Sequence, residues 1–224
     1  MLIVNRMFRF SGLAALIGFL FVIGLFQGEA FPQSQAGTIK IGAILPLTGD
    51  SAAWGEQGKY GIEIAVEEIN YKGGINGKKL EVVYEDSQAI PKNAVTSIQK
   101  LINVDKVSAV IGDIVSSTTL AMAPIAEKSQ TVLIAISASA PAITNAGEYI
   151  YRVWPSDLLE GSVLAEFVAK NKYKRVCILH IQTDYGTGLR DAFKKTLEQK
   201  GGEIILTQGY KQDETDFKAV IYLS

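Results

Sequence analysis

Cysteine and histidine are almost absent from this chain of 224 residues, which contains one of each, Cys177 and His180. A single cysteine excludes an internal disulfide framework. The two residues lie three positions apart on a predicted strand and so face opposite sides of it, and no loop has the acidic spacing of a calcium site. We therefore expect no metal site. Cys177 stands in the apolar run RVCILHI, which predicts a buried and inert thiol.

An excess of charge of either sign is also lacking, because 22 basic and 23 acidic residues give a formal net charge of −1. Such a chain has no electrostatic footprint for nucleic acid, so we expect no nucleic-acid partner. Hydrophobic residues make up 48% of the sequence, which is enough to build a sizeable core and excludes a disordered chain.

Residues 1–36 have the three-part layout of a secretory signal peptide. Arg6 and Arg9 precede an apolar stretch over 12–26, and small-residue patterns place the cleavage near residue 30 or near residue 36. The apolar stretch is shorter than the ~20 residues that a membrane-spanning helix needs. We therefore predict secretion to the periplasm or the extracellular space, with an uncleaved N-terminal anchor as the alternative.

From residue 38 onward, apolar β-rich runs alternate with helical patterns. This alternation predicts βαβ units, and strands made of continuous Val, Ile and Leu predict parallel sheets covered on both faces. We therefore predict an α/β fold with Rossmann-like parallel sheets and helices on both faces. The predicted strands are 38–46, 78–86, 106–113, 130–137, 149–155, 174–181 and 203–210.

Three helices carry more specific predictions. Ser156 is expected to cap the helix over 156–173, and a last helix is expected to begin at Glu214. The first helix, over 54–74, is amphipathic, and its buried face is predicted to consist of Tyr60, Ile64, Ala65 and Ile69.

Hydroxyl groups collect in loops that follow the predicted strands, the edge at which open parallel sheets bind ligands. A helix beginning near Ser117 would offer its free N–H groups and the Ser116 hydroxyl to a carboxylate. The neighbouring loop SASAP adds Ser137 and Ser139. The alternative is that these hydroxyls only cap the helix, and we favour that alternative for Ser117 and for the two threonines after it.

Two aromatic residues occupy strand-end loops in opposite halves of the chain. Trp54 and Tyr185 can both cover a small ligand, although each can instead pack at the start of a helix. No histidine-based catalytic arrangement, G-x-S-x-G elbow or complete phosphate-binding motif is present in the sequence. We therefore predict a binding protein rather than an enzyme, and an enzyme on a Rossmann-like sheet is the less favoured alternative.

Five segments, in this order and spacing, resemble the periplasmic binding proteins for branched-chain amino acids, the receptor components of ABC importers. They are IKIGAILPLTGDSAAWG, AVEEINYKGGINGKKLEVVYED, AVIGDIVSSTT, ISASAP and DYGTGL. The resemblance implies a type I periplasmic-binding fold of two hinged lobes. It also implies a monomer without catalysis or cofactor, which captures an amino acid or a related small carboxylate between the lobes and delivers it to an ABC-transporter permease.

The resemblance also implies a ligand site. Ser116 and Ser139 would bind the α-carboxylate, Ser137 would add contacts from the same loop, and the two aromatic residues would line the pocket. Tyrosine often stands in the family where this chain has Trp54, and threonine where it has Ser139, so the solute stays open. The residues expected to bind the ligand are Trp54, Ser116, Ser137, Ala138, Ser139 and Tyr185.

Members of this family are longer than the present sequence. We therefore expect a C-terminally truncated chain, with a signal peptide over 1–36, a first lobe over 37–155 that lacks its C-terminal return segment, and a partial second lobe over 156–224. Such a chain, on its own, is expected to bind its solute weakly or not at all. The alternative function is a membrane-anchored, ligand-sensing ectodomain of the same fold.

Overall fold

The computed structural model describes residues 37–218, so the predicted signal peptide lies outside the described residues. Within residues 37–218, no helix combines the length and hydropathy needed to cross a membrane. The strands are β1 (Thr38–Leu45), β2 (Lys79–Asp86), β3 (Ala109–Ile111), β4 (Val132–Ala135), β5 (Ile150–Arg152), β6 (Arg175–Ile181) and β7 (Glu203–Tyr210). The helices are α1 (Ala52–Tyr71), α2 (Pro91–Asn103), α3 (Ser116–Lys128), α4 (Asp157–Lys170) and α5 (Asp184–Gln199), with a 3-10 helix over Pro141–Asn145.

The first five strands form one parallel sheet in the order β2-β1-β3-β4-β5, and β6 pairs in parallel with β7 in a second sheet. The predicted α/β class and the parallel pairing are confirmed. The last helix begins later than the predicted Glu214, because residues 214–217 have no regular structure and Lys218 is the first helical residue.

Helices cover both faces of the five-stranded sheet, as predicted. Side chains alternate along β1, so that Ile44 faces the core under α2 and α3 while Ala43 and Leu45 face α1. These three residues are fully buried. Burial on both faces explains why the strand reads as a continuous apolar run.

The buried face of α1 differs from the prediction. Tyr60, Ile64 and Ala65 are exposed, whereas Gly55 and Ile62 are buried. A Cβ atom on Gly55 would stand 2.0 Å from the carbonyl oxygen of residue 46, so the helix approaches the end of β1 through its glycine side. The close approach decides the orientation of the helix, and the larger apolar residues consequently face outward.

The two-stranded sheet is covered on one face by the described residues. Val176 and Ile178 pack against α4 and α5, and the intervening Cys177 points to the other face and is exposed. The prediction of a buried Cys177 thiol is therefore wrong, because nothing among residues 37–218 covers that face. One side of α4 also carries an exposed apolar stripe, formed by Leu159, Val163, Leu164 and Phe167.

Ser156 caps α4 as predicted, accepting a hydrogen bond from the Leu158 backbone N–H at 3.3 Å. We expect Ser156→Ala to lower the free energy of unfolding by about 1 kcal/mol, because a first-turn N–H loses its partner. Ser51→Ala is the matched control, since Ser51 precedes α1 without a side-chain cap. Chemical denaturation of both variants measures the difference, and equal midpoints would contradict the assigned cap.

Candidate functional site

The carboxyl ends of β1, β3 and β4 meet at one edge of the large sheet. The Gly112 N–H, directly after β3, donates to the Ile134 carbonyl on β4 at 2.9 Å. On its other side, a Cβ on Gly112 would stand 2.0 Å from the Ile44 carbonyl oxygen of β1. The loops that follow these three strands therefore begin side by side, which is the arrangement that the strand pattern predicted.

Ser116 joins α3 to the SASAP loop. The helix begins at Ser116 itself, one residue earlier than predicted, after Val115 in the N-cap position. The Ser116 hydroxyl oxygen accepts the Ala140 N–H at 3.2 Å, and the residue is 3% exposed. Thr118 and Thr119 donate to the Val115 carbonyl at 2.8 and 3.0 Å, which agrees with the structural role favoured for them.

Ser139 belongs to a buried contact between the SASAP loop and the start of α4. Its hydroxyl donates to Asp157 Oδ2 at 3.0 Å, and the Asp157 N–H donates to the Ser139 carbonyl at 3.0 Å. Ser139 is 6% exposed, the neighbouring Ala138 is buried, and Ser137 is half-buried. The two predicted hydroxyls thus lie in adjacent segments and are nearly covered.

Arg152, at the end of β5, holds the SASAP loop in place. Its Nη1 donates to the carbonyls of Ser139 and Ala140, each at 3.1 Å, and its Nη2 donates to Thr144 Oγ1 at 2.7 Å. The planar guanidinium makes these bonds as a fixed fork. Sequence reasoning missed this residue, because no local pattern distinguishes it from a surface arginine.

Asp157 places a carboxyl group inside the site at 1% exposure. Burial raises the pKa of the Asp157 carboxyl and the Glu160 carboxylate adds to the rise, while the Ser139 hydrogen bond and the Arg152 charge oppose it. As the first residue of α4, Asp157 also sits where a helix favours negative charge. No sequence pattern indicated this contact, which joins positions 18 residues apart.

Tyr185 comes from the two-stranded half and reaches the same neighbourhood. Burial raises the pKa of its phenol, and the nearby charges of Glu160 and Asp157, together with Tyr210, raise it further. A Cβ on Gly188, three residues further along α5, would stand 2.6 Å from Pro141 of the SASAP loop, so the start of this helix lies against that loop. A Cβ on Gly186, the residue after Tyr185, would stand 2.2 Å from a β6 carbonyl oxygen, so this turn rests directly on its strand.

Trp54 lies in the first turn of α1 and is 67% exposed. Such exposure argues against the alternative that it packs at the helix start. A Cβ on Gly58, one turn further along, would stand 3.0 Å from Ile136, which begins the loop after β4. The helix start therefore lies at the same sheet edge, although no hydrogen bond or ring contact within residues 37–218 joins Trp54 to the two hydroxyls.

Two further acidic residues at this edge were not predicted. Asp86, at the end of β2, accepts hydrogen bonds from the Leu47 N–H at 2.8 Å and the Thr48 hydroxyl at 2.5 Å, and so fixes the loop between β1 and α1. Asp113, after β3, is fully buried, and burial raises the pKa of its carboxyl although hydrogen bonds such as that from Ser87 oppose the rise. Asp86 is the last residue of β2 and Asp113 follows β3 after one glycine, so both acids stand at strand ends, where the sequence pattern could have pointed to them.

A cavity of about 390 Å³ lies between the 3-10 helix and α5. None of the six predicted ligand residues lines it. Its polar lining consists largely of exposed side chains, among them Asp184, Asp191 and Lys195. The Ser116 and Ser139 hydroxyls lie outside this cavity and are buried.

Residues 37–218 contain no cluster of three His, Cys, Asp or Glu side chains that could hold a metal ion. The strand-end site instead offers the N-terminus of α3, the Ser116 and Ser139 hydroxyls, backbone groups and the buried carboxylates of Asp113 and Asp157. These groups can orient a small polar molecule by hydrogen bonding.

Residues 38–222 match the family model described as periplasmic binding protein. A leucine-, isoleucine-, valine-, threonine- and alanine-binding protein of Pseudomonas aeruginosa is 36% identical over 204 residues, which cover 90% of this chain and 54% of the relative. The present chain thus spans about half the length of the curated relatives it matches.

Two solved structures extend the comparison. A leucine-binding protein from Thermotoga maritima superposes with a TM-score of 0.77 at 31% identity, over 83% of this chain and 52% of the other. A solute-binding protein of an ABC transporter from Rhodopseudomonas palustris, in complex with 3,4-dihydroxybenzoic acid, gives a TM-score of 0.76 at 30% identity, over 83% and 51%. On the family match, and in agreement with the sheet architecture, the chain belongs to the periplasmic binding protein family.

Proposed function

We propose that this chain supplies the carboxylate-holding part of an ABC-transporter solute-binding protein. It is exported to the periplasm or cell exterior, captures an amino acid or related small carboxylate, and presents it to a membrane permease. Residues 37–155 form the first lobe and residues 156–224 part of the second, with the ligand between them. The names of the similar proteins support the role, since they include amino-acid-binding proteins and a transporter component.

One observation carries the proposal. The Ser116 hydroxyl, at the start of α3, meets the SASAP loop through the Ala140 N–H. A helix N-terminus and a hydroxyl at one point favour a carboxylate without a cationic side chain. Ser137, Ala138 and Ser139 lie on the same loop, and we assign Trp54 and Tyr185 to the aromatic boundary of the pocket.

The test measures binding of L-leucine, L-valine, L-phenylalanine and 3,4-dihydroxybenzoate to the chain by ligand-observed NMR, which detects weak complexes. We expect at least one of these acids to bind. Ser116→Ala should weaken that binding roughly 10-fold or more, because a hydrogen bond to a charged group contributes about 1.5–3 kcal/mol.

Ser108→Ala is the matched control. Ser108 is exposed and precedes β3 at the opposite edge of the sheet, so its replacement should leave binding unchanged. The proposal fails if no acid binds, or if the Ser116→Ala and Ser108→Ala variants bind equally well.

A further inference from the structure

Helix α1 carries a partly apolar stripe that is exposed along the length of the helix. Its large side chains, Tyr60, Ile64 and Tyr71, are 58%, 67% and 92% exposed. Spacings of three or four residues place the members of the stripe on one side of the helix. We name it the α1 stripe, and it consists of Gln57, Tyr60, Gly61, Ile64, Ala65, Glu68 and Tyr71. Trp54, at the margin of this stripe, stays assigned to the boundary of the solute pocket.

The α1 stripe points away from the five-stranded sheet. Gly55 and Ile62 are buried on the sheet side of the helix, and Val66 packs against the same cluster. In a layered α/β domain the helices rest directly on the sheet, so an element that extends this layer packs beside α1 rather than on its outer side. Exposed apolar patches mark contacts with other molecules. A partner for the stripe must therefore come from another molecule.

The shape of the α1 stripe is complementary to itself in an antiparallel arrangement. With a two-fold axis between residues 62 and 63, Gly61 faces Ile64 of the second copy, and Ile64 faces its Gly61. Tyr60 and Ala65 face each other across the axis in the same way. Each large side chain thus meets a small one, which lets two helices approach closely and interdigitate. A two-fold axis requires this kind of self-complementary surface.

The charges of α1 fit the same arrangement. The four carboxylates of the helix each lie level with an uncharged residue of the second copy, because Ile69, Ile62, Gly58 and Gln57 stand opposite Glu56, Glu63, Glu67 and Glu68. Like charges that face each other across an interface would oppose pairing. Glu68, the one carboxylate within the stripe, already pairs with Lys72 of its own chain at 2.5 Å. The Gln57 amide of the second copy can donate a further hydrogen bond to it.

We propose that the α1 stripe is a homodimer contact, in which two copies of this chain pair their α1 helices antiparallel about a two-fold axis. The exposed parts of Tyr60, Ile64 and Tyr71, with the smaller residues of the stripe, bring a pair to about 1,000 Å² of buried surface, the lower limit for a specific interface. The dimer is therefore weak and concentration-dependent. The family resemblance implies a monomer, so this contact comes from the structure alone, and it does not depend on the solute.

Sedimentation velocity over a series of protein concentrations tests the contact. We expect the unaltered chain to pass from monomer to dimer as its concentration rises through the micromolar range, and Ile64→Glu to raise the dissociation constant at least about 100-fold. A two-fold interface contains each change twice, and each glutamate places a charge where an apolar side chain was buried. Val104→Glu is the matched control, because Val104 is 70% exposed and follows α2. It should change the dissociation constant by less than about 2-fold.

Cross-linking tests the antiparallel register. The exposed Cys177 is first replaced by serine to remove the natural thiol. A mixture of Tyr60→Cys and Ala65→Cys chains should then form a disulfide-linked dimer under mild oxidation, because the two positions face each other. Either chain alone should cross-link much less, since identical positions are offset along the helices and a disulfide bridges only a short distance.

Three results would overturn the proposal. The first is an unaltered chain that stays monomeric up to millimolar concentration. The second is equal association of the Ile64→Glu and Val104→Glu variants. The third is association that Phe167→Glu abolishes and Ile64→Glu does not, because the contact would then lie on the apolar stripe of α4. Circular dichroism confirms that each variant is folded, and Tyr60→Ser replaces Ile64→Glu if that variant is not. None of these results bears on solute binding, which is measured separately.

Discussion

Alanine in place of Gly112 should lower the melting temperature by roughly 10 °C, the result of a loss of about 3 kcal/mol or more in the free energy of unfolding. Gly112 has a φ of 132°, a region that side chains with a Cβ rarely adopt. The added Cβ would also stand 2.0 Å from the Ile44 carbonyl oxygen of β1. Strands β1 and β3 are both interior strands of the five-stranded sheet. Neither strand can retreat, because both lie between buried layers.

Gly61→Ala is the control for this substitution. Gly61 lies within α1, and a Cβ there would meet nothing within 4 Å. Alanine at that position should stabilise the helix by about 0.5–1 kcal/mol through the lower entropy of the unfolded chain. The melting temperatures of both variants are measured by circular dichroism. Equal melting temperatures for Gly112→Ala and Gly61→Ala would contradict the close approach of Gly112 to the Ile44 carbonyl oxygen.

Removal of the Asp86 carboxylate should cost about 2 kcal/mol of stability and loosen the loop that leads to Trp54. Asp86 accepts the N–H groups of Leu47 and Gln88 at 2.8 and 2.9 Å, as well as the Thr48 hydroxyl. Asp86→Ala leaves these donors to water, and hydrogen bonds to a carboxylate are among the stronger ones. Fluorescence of the exposed Trp54 ring should report the loosening.

The contribution of Asp86 also depends on pH. Burial raises the pKa of the Asp86 carboxyl, but the hydrogen bonds, led by that from Thr48, outweigh burial and lower the pKa below the ordinary value of 3.8. A group with a lowered folded-state pKa stabilises the fold above its unfolded pKa and loses that effect as pH falls through the folded one. The stability difference between the unaltered chain and Asp86→Ala should therefore shrink below about pH 4.

Asp50→Ala is the matched control for Asp86→Ala. Asp50 is exposed and lies in the same loop between β1 and α1. Its replacement by alanine removes one negative charge, as Asp86→Ala does. Its variant should unfold within about 0.5 kcal/mol of the unaltered chain at every pH. Equal denaturation midpoints for the two variants at neutral pH would contradict the conclusion that Asp86 fixes the loop between β1 and α1.

The alternation of strands and helices could be predicted because burial on both sides of a parallel sheet leaves a direct mark on composition. Strand β1 illustrates this, since its two faces meet different helices and its sequence is apolar throughout. The orientation of α1 could not be predicted from apolar spacing. Gly55 and the end of β1 decide it by steric fit, and a hydrophobicity pattern contains no information on that fit.

The candidate site could likewise be predicted from the sequence only in part. The proximity of Ser116 to the SASAP loop followed from the rule that carboxyl ends of parallel strands share an edge. The partner of Ser139 did not follow, because Asp157 lies on a later helix and reads locally as an ordinary first-turn acid. The hydrogen-bond partner of a hydroxyl group can be distant in the sequence, so it could be identified only from the structure.

One face of the β6–β7 sheet and the apolar stripe on α4 are exposed to solvent. Binding of another polypeptide to these surfaces would therefore stabilise the part of the chain that contains them. Leu159, Val163 and Phe167 remain in water within the described residues, and a sheet of only two strands has little stability of its own. Any polypeptide that occludes this surface binds the folded form alone, and by mass action it shifts the folding equilibrium toward that form. The stability of the half that carries Tyr185 therefore rises with the concentration and affinity of any polypeptide that binds this surface.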